Sequence, residues 1–189
     1  DWPDLIDDVL IDVGRLDRLV EDLLALARLD ETAARTPHVP LELDDLVETI
    51  VAGYRHARVP VIFDYTEDVT VQGDRDGLHR VVVNLVDNAV RYAASEVDVH
   101  VYTVDGADGA PVAKLTVTDD GQGLPEGERD RVFDRFYRSE SSRSRDLGGT
   151  GLGLPIVRDL VRNHHGTIVL TDRPDGEDGL HAVVTLPQP

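Results

Sequence analysis

Gly148-Gly149-Thr150-Gly151-Leu152-Gly153-Leu154-Pro155-Ile156-Val157 runs a glycine loop straight into an amphipathic pattern that continues to about His164. Such a junction presents free N–H groups at the positive end of a helix dipole, and glycines let an anion's oxygens come close to them. Pro155 suits a first helical turn. No Lys-Ser or Lys-Thr follows the glycines, so this is not a Walker loop, and no strand precedes them as a dinucleotide fingerprint requires. The stretch reads as an anion site on some other α/β architecture.

Working upstream, Val117-Thr118-Asp119-Asp120-Gly121-Gln122-Gly123-Leu124-Pro125 ends an apolar strand in acid and then glycine. Gly121 and Gly123 allow close backbone approach to a flat ligand, and a buried Asp119 carboxylate can accept from an exocyclic amine. A plain Asp-Gly turn is the alternative. Further upstream, the helical stretch His79 to Tyr92 puts Val82, Leu85, Val86 and Ala89 toward a core and leaves Asn84, Asn88 and Arg91 together on the other face. Asn is a poor helix former, so two of them mid-helix need a reason. A carboxamide oxygen is a hard, neutral ligand suited to Mg²⁺ held mainly by phosphates and water. A solvated polar face is the alternative.

Around these segments the pattern predicts a strand at Leu41 to Leu43 and a helix that Asp44 or Asp45 caps, running through Val47, Ile50 and Val51. Strands follow at Val59 to Tyr65 and Val69 to Gln72, then a helix from Asp74 to Tyr92. Strands at Glu96 to Val104 and Val112 to Asp119 flank a turn-rich segment, and the chain closes with strands at Thr167 to Thr171 and Ala182 to Leu186. Helices and strands mix without strict alternation, which predicts an α+β protein built as a two-layer α/β sandwich.

Ahead of it, Ile6, Val9, Val13, Leu16, Val20, Leu23 and Ala27 recur at steps of three and four, widened by Leu19, Leu24 and Leu26. This breadth suits one long helix of a bundle over residues 1–33; a core helix of the globular domain is the alternative. Residues 34–40, with Pro37 and Pro40, read as a hinge, and residues 41–189 as one domain.

A net charge of −18 repels nucleic acid and anionic membranes over most of the surface. The exception is local: Arg129, Arg131, Arg135, Arg138, Arg143 and Arg145 outnumber Asp130, Asp134 and Glu140, a stretch that could meet a small polyanion such as a nucleotide triphosphate. With no Cys there is neither a disulfide nor a thiolate metal site, and no apolar run approaches bilayer-spanning length. The absence of Met and the abrupt helical opening lead us to expect a fragment.

In this order the segments resemble the histidine-kinase branch of the ATPase superfamily shared with gyrase, Hsp90 and MutL. The helix with Asn84 and Asn88 looks like its N box, Asp119 to Gly123 its G1 box, Val132-Phe133-Asp134-Arg135-Phe136-Tyr137-Arg138 its F box, and Gly149 to Leu154 its G2 box. Residues 1–33 resemble the second helix of the family's dimerisation and phosphoacceptor hairpin. The resemblance implies the Bergerat ATP-binding fold, ATP and Mg²⁺ as ligands, and transfer of the γ-phosphate to a histidine for relay to a response regulator. It further implies a homodimeric parent, membrane-anchored with this portion in the cytoplasm.

Carried over by position, Asp119 would accept from the adenine amine and Asn88 would ligate Mg²⁺. Asn84, Arg91 and the backbone of Gly149, Thr150, Gly151, Leu152, Gly153 and Leu154 would hold phosphates, while Gly121 and Gly123 let the base approach. Tyr92 would flank base or ribose. Residues 125–148 would form a mobile lid from which Arg135, Arg138, Arg143 or Arg145 reaches the triphosphate.

Two departures sharpen the expectation. The family's phosphoacceptor histidine stands on the first hairpin helix before an acidic residue, and His38, His56, His79, His100, His164, His165 and His181 all lie elsewhere. The chain is therefore expected to carry the ATP site without its phosphoacceptor. The superfamily's ATPases, and its serine-directed kinases, resemble one another in placing a glutamate four residues before the metal-binding Asn, as general base; here that residue is Asn84. The other rival is a regulatory module that binds nucleotide and transfers nothing. Near the adenine, Leu180 and Ala182 replace the family's usual small hydroxyl residue and aromatic.

Overall fold

The computed structural model describes residues 38–65, 67–106, 109–139 and 150–189, with Val13, Leu19, Val20, Leu23 and Leu24 as isolated helical positions. The long helix and most of the hinge expected over residues 1–40 lie outside the described residues. Among the isolated positions, Val13, Val20, Leu23 and Leu24 are about half-exposed.

Alternating side chains build the principal sheet. Strands β2 (Val61–Tyr65), β4 (Val97–Asp105), β5 (Pro111–Asp119), β6 (Thr167–Thr171) and β7 (Leu180–Pro187) lie in the order β2-β4-β5-β7-β6. The β2–β4 pair is parallel and the others antiparallel. On β5, Ala113, Leu115, Val117 and Asp119 point inward and are buried. Lys114 and Thr118 point outward, where they bond Thr185 Oγ1 and His181 Nδ1 at 2.7 Å each. One covered face and one polar face is what such alternation dictates.

The covering layer comprises α1 (Leu43–Val51), α2 (Arg75–Tyr92) and α4 (Gly153–Asn163), with a one-turn helix α3 (Glu126–Arg129) beside them. On α2, Val82, Leu85, Val86 and Ala89 are buried, as the spacing predicted, together with Leu78 and Val81. Each large apolar side chain so placed contributes about 1.5–3 kcal/mol. The helix penalty of an Asn is at most about 0.7 kcal/mol, so the apolar face decides the conformation and carries Asn84 and Asn88 with it. A second small sheet pairs β1 (Val39–Glu42) with β3 (Thr70–Gly73) antiparallel.

Both ends of α2 are pinned. At its start Asp74 caps the N–H groups of Asp76 and Gly77 at 3.2 and 3.1 Å. The Asp74 N–H itself donates to His164 Nε2 at 3.0 Å, and His164 Nδ1 lies 2.7 Å from Leu160 O, tying the start of α2 to the end of α4. Beyond its end, Arg58 donates to the carbonyls of Val90 and Ala93.

Some boundaries differ from the sequence reading. Strand β1 begins at Val39, inside the stretch read as a hinge, because Pro40 is tolerated in a two-stranded ribbon where it pairs opposite Gln72. Neither Asp44 nor Asp45 caps α1: Glu42 holds the N-cap position without a side-chain bond, and Asp44 turns inward to accept the Val69 N–H at 2.9 Å. A tertiary partner outcompeted the local one. The short helical turns at Ala52–Tyr54, Glu126–Arg129 and Arg131–Phe133 carry too few periodic residues to show in the pattern.

Candidate functional site

Asp119 is the last residue of the central strand β5, and its side chain is 5 % exposed. Its Oδ1 accepts the Gly121 N–H at 3.0 Å. Burial pushes its carboxyl up to about 6; the Gly121 N–H lowers it, nearby Asp120 raises it, and the Leu180 N–H and Arg173 lower it. A buried carboxylate, when ionised, is a strong acceptor for a donor entering the cleft.

The cleft in front of it is lined by Asn88 and Tyr92 from α2, Asp119, Gln122, Gly123 and Leu124 from the turn after β5, Val132 and Ser139 beyond, and Leu180 from β7. Gly121 packs against the end of α2 so closely that a Cβ there would stand 2.3 Å from Tyr92 O. This contact holds the turn and the helix as one floor.

The glycine loop arrives from the other side. Gly151 has φ +72° and its carbonyl accepts the Phe136 N–H at 3.0 Å, so the F-box segment and the loop are joined by backbone. A Cβ on Gly153, at the start of α4, would stand 2.9 Å from Asn84 Oδ1, placing Asn84 beside the N-terminus of α4. Leu152 has no side-chain cap to offer that terminus. Asn84 Nδ2 donates back to Arg80 O at 2.9 Å, which fixes its amide with the oxygen toward Gly153.

Of the residues singled out from sequence, Asn88, Tyr92, Asp119 and Gly123 therefore share one cleft, Gly121 packs beneath it, and Asn84, one turn before Asn88, stands beside Gly153. Arg91 is partly buried on the last turn of α2. Thr150 Oγ1 accepts the Leu152 N–H at 3.2 Å, Leu152 is buried, and Leu154 packs against the core. Gly149, Arg143 and Arg145 lie outside the described residues.

The arginine-rich stretch is largely engaged with protein. Arg129 donates to Leu124 O at 3.1 Å and pairs with Asp172. Arg131 lies 4.6 Å over the Tyr137 ring. Arg135, half-exposed, stands 3.6 Å from Asp159, and Arg138 is partly buried with interactions of its own. Neither Arg135 nor Arg138 lines the cleft. Sequence reasoning missed Gln122, Leu124, Val132 and Ser139 as wall residues; only the nearness of Gln122 and Leu124 to Asp119 signalled two of them.

Residues 73–189 match the family described as histidine kinase-, DNA gyrase B-, and HSP90-like ATPase. The chain is 40% identical over 190 residues to the signal transduction histidine-protein kinase/phosphatase MprB of Mycobacterium tuberculosis, covering 97% of this chain and 36% of that protein. It is 32% identical to the signal transduction histidine-protein kinase BaeS of Escherichia coli, covering 98% of this chain and 39% of that one. The chain thus spans little more than a third of these relatives. Among solved structures, a mycobacterial sensor histidine kinase MprB superposes with TM-score 0.65 at 31% identity, covering 80% of this chain and 99% of that chain. The ATP-binding domain of PrrB from Mycobacterium tuberculosis gives 0.63 at 28% identity, covering 80% and 98%. With the cleft, the glycine loop and these likenesses in agreement, the chain belongs to the histidine kinase-, gyrase B- and HSP90-like ATPase family, as an ATP-binding domain of the sensor histidine kinase type.

Proposed function

We propose that the chain binds Mg·ATP in this cleft and delivers the γ-phosphate to a histidine on a helical hairpin domain of the same protein, for relay to a response regulator. The observation that carries the reading is the buried Asp119 acceptor at the cleft floor, with Asn88 and Tyr92 facing it from α2. Asp119 would take the adenine amine, and Asn88 would present its carboxamide oxygen to Mg²⁺. Asn84 and Arg91, with the N–H groups at the start of α4, would hold the phosphates. When bound, the metal ion would neutralise phosphate charge as the transferring bond breaks.

The residues present fit these ligands. Gly121 leaves the floor flat beside Asp119, and the uncapped α4 terminus beside Asn84 offers donors for an anion. The cleft measures about 60 Å³, against roughly 300–1,000 Å³ for usual ligand sites. Nucleotide therefore enters only when the wall of Leu124, Val132 and Ser139 stands further from Asp119, a movement suited to the expected lid.

Transfer is favoured over hydrolysis by the residue at position 84. An amide whose nitrogen donates to Arg80 O cannot take a proton from water. None of the chain's seven histidines is followed by an acidic residue. We propose that the acceptor stands on the hairpin, that residues 1–33 belong to it and 41–189 to the catalytic domain, and that the parent is a homodimer. The half-exposed Val13, Val20, Leu23 and Leu24 support packing against further helices. No described helix is long and apolar enough to cross a membrane; we place any anchor elsewhere in the parent, with this domain in the cytoplasm, where ATP is supplied.

The test is transfer from radiolabelled ATP. The chain alone should neither label itself on histidine nor hydrolyse ATP appreciably, and it should label an added hairpin domain that carries its own acceptor histidine. Acid-labile label on the chain itself contradicts the assignment of the acceptor, and brisk hydrolysis places the chain with the ATPases.

A further inference from the structure

Immediately after Asp119, the side chain of Asp120 turns away from the cleft and clasps the segment linking α2 to β4. Its Oδ1 accepts the N–H groups of Ala94 at 2.8 Å, Ser95 at 2.9 Å and Glu96 at 3.2 Å. Its Oδ2 accepts the Ser95 N–H at 2.9 Å and the Ser95 hydroxyl. One carboxylate thus takes three consecutive backbone donors that begin two residues after Tyr92. Next to the clasp, the Gly121 backbone lies against the Tyr92 carbonyl, where a Cβ would come within 2.3 Å. The cleft floor is made of these two pieces, the turn bearing Asp119 and the helix end bearing Tyr92 and Asn88.

We propose that Asp120 is a positioning residue of the nucleotide site, holding the Asp119 turn and the end of α2 at the separation an adenine ring needs. This inference rests on the nucleotide-binding reading above. A neutral amide cannot replace the carboxylate. Asn offers one acceptor oxygen and sets an NH₂ against N–H donors, so part of the clasp opens and the floor loosens.

The negative charge of Asp120 also acts on its neighbour. It is one of the groups that raise the Asp119 carboxyl, whose other surroundings are burial, the Gly121 and Leu180 N–H groups and the Arg173 guanidinium from the β6–β7 loop. Arg173 is itself shared among Asp175, Asp120 and Asp98. Removing the charge at 120 should therefore move the pH midpoint of nucleotide binding downward; water reaching Asp119 through a loosened floor acts in the same direction, so the charge effect is the part of the shift beyond that of a variant that keeps the charge.

The experiment is calorimetric titration of the full 189-residue chain with Mg·ATP from pH 5 to 8, comparing wild type, Asp120→Asn and Asp120→Glu. Asp120→Asn should weaken binding on the order of tenfold at pH 7.5, the loss expected for a charge-assisted contact. Its midpoint should fall by about half a pH unit or more. Asp120→Glu keeps the charge and displaces the carboxylate by one methylene, so it should weaken binding with a smaller fall in midpoint than Asp120→Asn. It also decides the case where Asp120→Asn does not fold. A folded variant with wild-type affinity overturns the proposal, and so does weaker binding by Asp120→Asn with no change of midpoint. Wild type that binds no ATP at any pH overturns the nucleotide reading instead, a distinguishable failure.

Discussion

Replacing Asp119 by Asn should make the chain more stable and a poorer nucleotide binder. Burial raises the carboxyl from its ordinary 3.8 to about 6, so holding it ionised at neutral pH costs the fold about 3 kcal/mol. Asn is isosteric and uncharged, so that cost disappears. It still accepts the Gly121 N–H through its oxygen, but a neutral acceptor is weaker and its NH₂ faces the Leu180 N–H, which takes back about 1–2 kcal/mol. The net expectation is a gain of about 1–2 kcal/mol at pH 7.5.

The sign of the pH dependence is fixed by the direction of the shift. A carboxyl raised in the fold binds its proton more tightly there than in the unfolded chain, so its contribution is most favourable below about 4. It becomes a penalty as pH rises through about 6. The stability difference between variant and wild type should therefore grow in the variant's favour from pH 4 to about 6.5 and then level off, as read from urea unfolding midpoints and slopes. Mg·ATP affinity moves oppositely. Losing the charge-assisted bond to the adenine amine costs about 1.5–3 kcal/mol, roughly ten- to over a hundred-fold in Kd. A stability difference that stays constant from pH 4 to 7.5 would falsify the buried-charge reasoning, and equal ATP affinity would sink the adenine assignment.

Gly121→Ala should cost about 1–3 kcal/mol in thermal or urea unfolding, because its Cβ meets the Tyr92 backbone carbonyl rather than a yielding side chain. It should weaken ATP binding at the same time, whereas the open Gly127 tolerates Ala in both assays. His164→Phe should lose about 1–3 kcal/mol by orphaning the Asp74 N–H. In wild type, burial first and the charge of nearby His38 also hold His164 below its ordinary 6.5. Its contribution is thus present above about pH 6.5 and lost as pH falls further, and His164→Phe should remove that part of the acid-side slope in urea unfolding.

The parts of the fold legible in the sequence are those where one local rule acts alone. The 3.6-residue period of Val82, Leu85, Val86 and Ala89 placed α2, whose expected start at Asp74 is its N-cap. Alternation placed β5 and ended it at Asp119. The order β2-β4-β5-β7-β6, with one parallel pair, depends on contacts between strands far apart in the chain and left no local trace. Asp44 shows the same limit within one residue. Its position before an apolar run fits a cap, and only the arrival of β3 offered the Val69 N–H that it took instead. Asp172 and Asp159, the acids that meet Arg129 and Arg135, come from distant parts of the chain and likewise left no trace near those arginines.

The division of labour on α2 explains why the candidate site residues stand out in the sequence. Its buried face fixes the helix against β5 and α4, and its other side presents Asn84, Asn88 and Tyr92 one turn apart along one line, with Arg91 beside it. Asn84 then faces α4 at Gly153, while Asn88 and Tyr92 face the Asp119 turn. A nucleotide laid along that line meets a carboxylate at one end and a helix N-terminus at the other, which suits an amine at the base and anions at the phosphates. On the proposed reading, the polarity of the ligand follows the order of residues along a single helix. On the same reading, transfer is favoured over hydrolysis by an amide at position 84 whose nitrogen is committed to Arg80 O and which has no proton-accepting group to offer water.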